Sequence, residues 1–189
     1  MKDYLISFVS QDIKTRLSYC CPDKETYWSI RVEKNVARRE GNTRQYTVPW
    51  GDPDKPLSLS GELIDTGEFL FQPKVMMNDY EDSHVNIQQL VWDVLATAPV
   101  DYRQTLAANI VVSGGVSYLP GLMERLELEL EKTVPALFKD HWNGIRAAPW
   151  RKYGAYRGGA TLTNFNWFQK NWITKEMYAE HGPDRLNFP

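Results

Sequence analysis

Cysteine is nearly missing from this chain. Of 189 residues only Cys20 and Cys21 carry a thiol, and sequence neighbours are badly placed to bridge. A disulfide scaffold is therefore excluded, and a reducing compartment is the expectation. Three scattered histidines and no second cysteine pair leave no metal-ligand spacing. No stretch reaches the roughly 18 apolar residues of a membrane span. The start, Met1 to Val9, has too short an apolar core and no small-residue cleavage site to read as a secretory leader. Charge of one sign is lacking too. The net charge is −2 with both signs mixed along the chain, so no basic stripe marks a nucleic-acid footprint. The Gly-x-Ser-x-Gly elbow, the P-loop and the dinucleotide fingerprint do not occur. Asp and Glu are scattered, so no carboxylate pair can be argued to share a catalytic site. Internal repeats and low-complexity tracts are also missing.

What is present is aromatic and apolar. Aromatics make up 13% of the chain, with seven Trp, enough for a core and for some interface area. The chain is organised around one stretch, Ala108 to Gly121. Asn109–Val112 reads as a short buried strand. Ser113, Gly114 and Gly115 follow at once, and Pro120 and Gly121 open a periodic helix. Glycines let the backbone turn with positive φ and let a ligand approach bare main chain. A helix start beside them offers free N–H groups and the positive end of the helix dipole. Such a turn suits a phosphate or the sugar-base part of a nucleotide. It equally suits plain packing of strand on helix.

Along the chain, Leu5–Tyr19 has the apolar spacing of an amphipathic helix, closed by Pro22. Lys14 on it reads, from spacing alone, as a solvated lysine. Tyr27–Val32 alternates weakly and Arg44–Val48 better, with an exposed loop, Glu33–Thr43, between them. Pro49–Pro56 is dense in turn formers, so Gln45–Val48 and Leu57–Ile64 read as a hairpin with an enlarged loop. Trp50 at its tip is either a lid on a neighbouring surface or an interface anchor. Phe69–Pro73 is an apolar knot, and Lys74–Ser83 is irregular. Asn86–Thr97 is helical, with Ser83 as its expected N-cap. A short helix spans Asp101–Ala107. Leu122, Met123, Leu126 and Leu130 share one helix face, ended by Pro135. Ile145–Ala148 is a short strand, and Pro149–Gly154 is a loop with two cations. Gly158–Ala160 opens a helix over Thr161–Phe168. Thr174 caps a last helix over Lys175–Glu180, stopped by Gly182 and Pro183.

Several phrases together resemble the actin family: Gln11–Leu17, Leu70–Pro73, Val100–Arg103, Leu106–Asn109, Val112–Gly115 with Pro120–Arg125, Arg151–Tyr153, Gly158–Ala160, and Trp172–Lys175 with Tyr178 and Gly182-Pro183. They stand in family order over nearly the whole chain. The resemblance implies an α/β fold, the second half of the actin/Hsp70-like ATPase fold: a mixed sheet flanked by helices, with a small inserted β-hairpin subdomain. Residues 1–22 and 75–189 would form the large-lobe portion, and 23–74 the insertion. The family's other half supplies two phosphate-gripping hairpins, the carboxylate near the metal and the groups that position water. None has a counterpart here, so no hydrolysis is expected of these residues alone.

By the same resemblance, Lys14, Gly114, Gly115 and Lys152 would line the adenosine side of a nucleotide cleft. Tyr118 or, with better spacing, Leu119 would stand where the family packs a residue on the base. Leu119 is aliphatic where actin has an aromatic, and Thr15 replaces an acid. Both departures weaken the contact, so weak or no binding of ATP or ADP is expected, and no metal site. Arg157 and Asn171 occupy positions that are apolar in actin. With Phe165 and Trp167 they would present an altered partner surface, to which Trp142, Trp150 and Trp172 add aromatic area, Trp172 itself being expected in the core. The implied function is an actin-related structural or assembly subunit of a filament or multiprotein complex. Its partners would be actin, other actin-related proteins or a dedicated complex, in the cytoplasm with the cytoskeleton or in the nucleus. No nucleic-acid or membrane contact is implied. The alternative is an ATP-binding ATPase of the superfamily whose phosphate-binding half is absent from this chain; a sugar-kinase relative is disfavoured by Trp172–Lys175.

Overall fold

The computed structural model describes residues 2–32, 41–73 and 86–183. In chain order the helices are α1 (Lys2–Arg16), α2 (Lys24–Arg31), α3 (Glu62–Phe71), α4 (Ile87–Thr97), α5 (Val100–Ala107), α6 (Leu122–Thr133), α7 (Gly154–Leu162), α8 (Asn166–Gln169) and α9 (Lys175–His181). The strands are β1 (Arg44–Tyr46), β2 (Leu57–Leu59), β3 (Ile110–Val112) and β4 (Ile145–Ala147). β1 and β2 pair antiparallel, Gln45 opposite Ser58. β3 and β4 pair parallel, Val111 opposite Arg146. Strands of both senses between helices give the expected α/β class.

The main core lies where α4, α5 and α6 meet. Trp92 and Leu95 from α4, Ala107 from α5, and Leu122, Leu126 and Leu130 from α6 close on Phe71 and Phe138. The four-residue spacing of Leu122, Leu126 and Leu130 puts them on one stripe of α6, as amphipathic packing requires. Trp92 stacks on Phe138 at 5.7 Å between centroids and meets Trp142 edge-on at 5.5 Å. Its indole N–H donates to Thr133 Oγ1 at 3.1 Å, so the buried ring leaves no polar atom unpaired. Asn86, not Ser83, caps α4: its side chain accepts from the Gln89 N–H at 2.9 Å. Ser83 and the rest of 74–85 lie outside the described residues, as does most of the expected 33–43 loop. Replacing Asn86 by Ala should lower the unfolding free energy by about 1 kcal/mol, read as a shifted urea midpoint with unchanged slope.

Two expected strands are helices. Tyr27–Val32 lies largely in α2, because Asp23 caps it, accepting from the Thr26 N–H at 2.6 Å, with Glu25 in the first turn and Arg31 in the last. That hydrogen bond holds the Asp23 carboxyl below its ordinary value. Leu57–Ile64 keeps only its first residues as β2. From Glu62 onward the apolar residues recur as Leu63, Ile64, Leu70 and Phe71, one face of α3, which absorbs most of the apolar knot. Tyr27 is fully buried against Ile64 and Cys21. Its hydroxyl donates to Asp65 at 3.0 Å, and the Arg31 guanidinium lies 3.3 Å from the same oxygen. Burial, then that carboxylate, push the Tyr27 phenol up to about 12.

α1 ends at Arg16, well before Pro22. The chain from Ser18 to Cys21 then threads between α3 and α6. The Tyr19 N–H donates to Leu63 O at 3.2 Å and the Cys20 N–H to Pro120 O at 2.7 Å. Both cysteines are free and buried. Burial pushes the Cys20 thiol up to about 12 and Cys21 to about 11, so neither offers a thiolate at neutral pH. Trp50 lies against Phe8 at 5.7 Å and so covers α1, one of the two roles open to it.

A charged cluster lies inside this junction. Arg125 of α6 is 1% exposed, and its guanidinium meets Glu68 of α3 at 3.2 Å and Glu129 at 2.9 Å. It also donates to Cys21 O at 3.2 Å and lies 4.9 Å over the Phe71 ring. The described C-terminal helices contrast with this core. None of α7, α8 and α9 holds a buried residue. The expected helix over Thr161–Phe168 instead begins at Gly154 and ends at Leu162, with Gly158 and Gly159 inside it.

Candidate nucleotide-facing hollow

Parallel pairing of β3 with β4 sets the carboxyl ends of both strands on one side. The turns that follow them become neighbours, which is where open α/β sheets place ligands. After β3, Gly114 adopts φ +103°, and Gly115–Tyr118 forms a tight 3₁₀ turn. After β4, Arg151–Tyr153 forms another.

Arg151 joins the two turns. Its carbonyl accepts from the Gly114 N–H at 2.9 Å and from the Ser113 hydroxyl at 3.0 Å. Its Nε donates to Ser117 Oγ at 2.9 Å and its Nη2 to Ser117 O at 3.0 Å. The guanidinium lies 4.2 Å over the Tyr118 ring, and the Tyr118 hydroxyl donates to Pro149 O. Five donors on a planar fork suit this bridging better than a lysine would.

Against these turns lies the last part of α1. Gln11, Lys14 and Thr15 project from one helix face, as residues three and four apart do. With Gly115, Val116, Tyr118, Leu119 and Lys152 they line a hollow of about 360 Å³. Three remote stretches thus contribute Lys14, Thr15, Gly115, Leu119 and Lys152 to one cavity. Gly114 is the exception among the sequence-derived residues: it shapes the turn, and its N–H is spent on Arg151. Gly115 leaves the wall open, since a Cβ there would meet nothing within 4 Å. Leu119 is buried and forms an apolar floor. The Thr15 hydroxyl donates back to Gln11 O at 2.9 Å, which leaves its oxygen to accept.

Sequence reasoning gave Val116 no role, and it named Gln11 and above all Arg151 only as members of family phrases, Arg151 also as a loop cation, without placing them at the hollow. The place of Arg151 directly before Lys152, in a turn after a short strand, was the available signal. Among the described residues no cluster of His, Cys, Asp and Glu could hold a metal ion, and no helix is long and apolar enough to cross a membrane.

The four expected partner-facing residues lie in and around α7 and α8. Arg157 of α7 sits 4.6 Å over the Trp150 ring, so its charge is matched by an aromatic face. Phe165 stacks on Trp167 at 6.3 Å, Trp167 meets Phe168 at 5.8 Å and Phe168 meets Trp172 at 5.7 Å. Trp167 is 57% exposed and Trp172, expected in the core, 56%. Rings here pack on sequence neighbours, so they shield one another without leaving solvent. Asn171 is exposed beside them, its N–H bonded to Phe168 O at 2.9 Å.

Comparison with known proteins agrees with the phrases read along the chain. Actin-related protein 4 of Eremothecium gossypii is 37% identical over 153 residues, which cover 80% of this chain and 30% of that protein. The chain thus spans under a third of that relative's length. The family model described as Actin matches residues 1–187, and with that match over almost its full length the chain belongs to the actin family.

Proposed function

We propose that this chain works as an actin-related subunit of a multiprotein assembly and carries one wall of an adenosine site. The observation that carries the reading is the hollow itself, where Lys14, Thr15, Gly115, Leu119 and Lys152 meet from three stretches of the chain. Its floor is apolar and its rim polar, the usual make-up of a small-molecule site. Tyr118, held flat by Arg151, offers an aromatic edge to a base, beside the buried aliphatic Leu119.

A hollow walled from one side buries only part of a ligand's surface, so the binding expected of it is weak. The described lining residues include no carboxylate to activate water, so the proposed role is assembly rather than hydrolysis. The outward aromatic run from Trp150 to Trp172, with Arg157, Phe165, Trp167 and Asn171, supplies the kind of anchors that bind other protein subunits. Such a subunit would serve in the cytoplasm with the cytoskeleton or in the nucleus.

An NMR titration of the chain with adenosine tests the site. We expect shifts confined to Gln11–Thr15, Gly115–Leu119 and Lys152, with half-saturation at about 0.3 mM or weaker, on the order of −5 kcal/mol. Gly115→Val, which extends side chain into the open wall, should abolish those shifts and leave the melting temperature unchanged. Shifts centred elsewhere, or none at saturating adenosine, would sink the adenosine reading. Recovery of the native protein only as a free monomer would sink the assembly reading.

A further inference from the structure

Mixed charge along the whole chain conceals one local exception. Residues 141–175 hold six basic side chains, Arg146, Arg151, Lys152, Arg157, Lys170 and Lys175, and neither Asp nor Glu. The remaining 16 basic residues of the chain face all 24 acidic ones. The ion pairs among the described residues involve none of the six cations. Arg157 lies over the Trp150 ring instead, and Lys152 lies 5.4 Å over Tyr153. Lys170 and Lys175 are exposed. The next acid, Glu176, is engaged at the start of α9: its own N–H and the Thr174 hydroxyl donate to it and hold its carboxyl below the ordinary value. Among these cations the rings face outward, with Phe165, Trp167 and Trp172 each about half exposed. Exposed Trp and Arg together are the residues that most often anchor an interface. A wholly apolar partner would cover the cations and leave them unpaired, which is unfavourable. A partner that brings carboxylates to the rim pairs them and is steered to the surface by the same charges.

We propose that the rings of 165–172, with Trp150, Arg157, Lys170 and Lys175, dock an acidic segment of a partner protein in which Asp or Glu alternates with large apolar side chains. This deepens the reading of the aromatic run as a partner surface and rests on it. A nucleic acid is the other polyanion that cations among rings could take, and two observations count against it. Phe165 already stacks on Trp167 and Arg157 covers a face of Trp150, so few ring faces are open to bases. The acidic excess outside 141–175 also repels a long phosphate backbone, whereas a short acidic segment stays within the basic stretch.

The test is fluorescence anisotropy of the full chain with labelled probes: a short peptide of Glu, Leu and Phe, the same peptide with Gln for every Glu, and a short oligothymidylate. The Glu peptide should bind about tenfold more tightly than the Gln peptide at low salt, and that advantage should shrink severalfold at about 0.5 M salt. Lys170→Glu and Lys175→Glu should each cut the advantage about threefold. Lys24→Glu on α2, the same change of charge, should leave it in place. Trp167→Ala should weaken both peptides alike by about tenfold. All four of these side chains are exposed, so the melting temperature should hardly move. Equal affinity for the Glu and Gln peptides overturns the proposal and leaves the partner surface standing. An advantage that survives Lys170→Glu and Lys175→Glu combined overturns it too. Oligothymidylate binding more tightly than the Glu peptide overturns it in favour of nucleic acid. If neither peptide binds at about 1 mM, the partner surface itself fails, and the proposal with it.

Discussion

Arg125→Ala should destabilise the protein by about 3–5 kcal/mol, the range for breaking a buried ion pair from one side. Arg125 and Glu68 are each 1% exposed, and the guanidinium also serves Glu129 and Cys21 O. Alanine would leave Glu68 in the interior without its cation and strip the Cys21 carbonyl of a donor. Glu129 still has Lys132 at 3.7 Å, so the loss concentrates at Glu68. In a chain of this length the melting temperature should fall by on the order of 10 °C. Because total stability is commonly about 5–15 kcal/mol, much of the folded population is at stake. Replacing Arg125 with Met and Glu68 with Leu together should cost far less, since the desolvation of both charges goes with them. Denaturant titration of both variants checks this. An alanine variant within about 1 kcal/mol of the parent would show that water reaches the cluster.

Gly121→Ala should cost at least about 2 kcal/mol, through left-handed backbone and collision together. Gly121 sits at φ +80°, and a Cβ there would lie 2.5 Å from the Cys20 carbonyl oxygen. That oxygen belongs to a backbone segment whose N–H groups are bonded to α3 on one side and to Pro120 on the other, so it has little room to retreat. Gly115→Ala is the internal comparison. It lies six residues earlier in the same connection, its φ is outside the left-handed region, and its Cβ would meet open space. Its effect on stability should stay within about 0.5 kcal/mol. Urea midpoints of the two variants measure the contrast, and equal values would contradict the geometry around Cys20.

The strand, glycine turn and helix about Val112 were legible because each carries a local signal: a short apolar run, a pair of glycines and a leucine stripe. The walls of the hollow were legible only through resemblance. Lys14 and Lys152 stand on different elements, and no local pattern links them. α2 and α3 were misread for a physical reason. Gly67 interrupts the α3 face, because a Cβ there would come within 3.0 Å of Cys20, and Asp23 signals its cap only once the residues after it are taken as helical. Arg125 was invisible. In an amphipathic helix rich in Glu, an arginine reads as solvated surface, and nothing local shows that Glu68 on another helix waits for it. Trp172 erred the other way: a large aromatic suggests burial, yet Trp172 is 56% exposed, with its ring edge-on to Phe168.

The run from α7 to α9 has no buried side chain. Substitutions at such positions usually leave folding almost untouched. A change in what these helices present to a partner can therefore be made and measured without a change in the stability of the core.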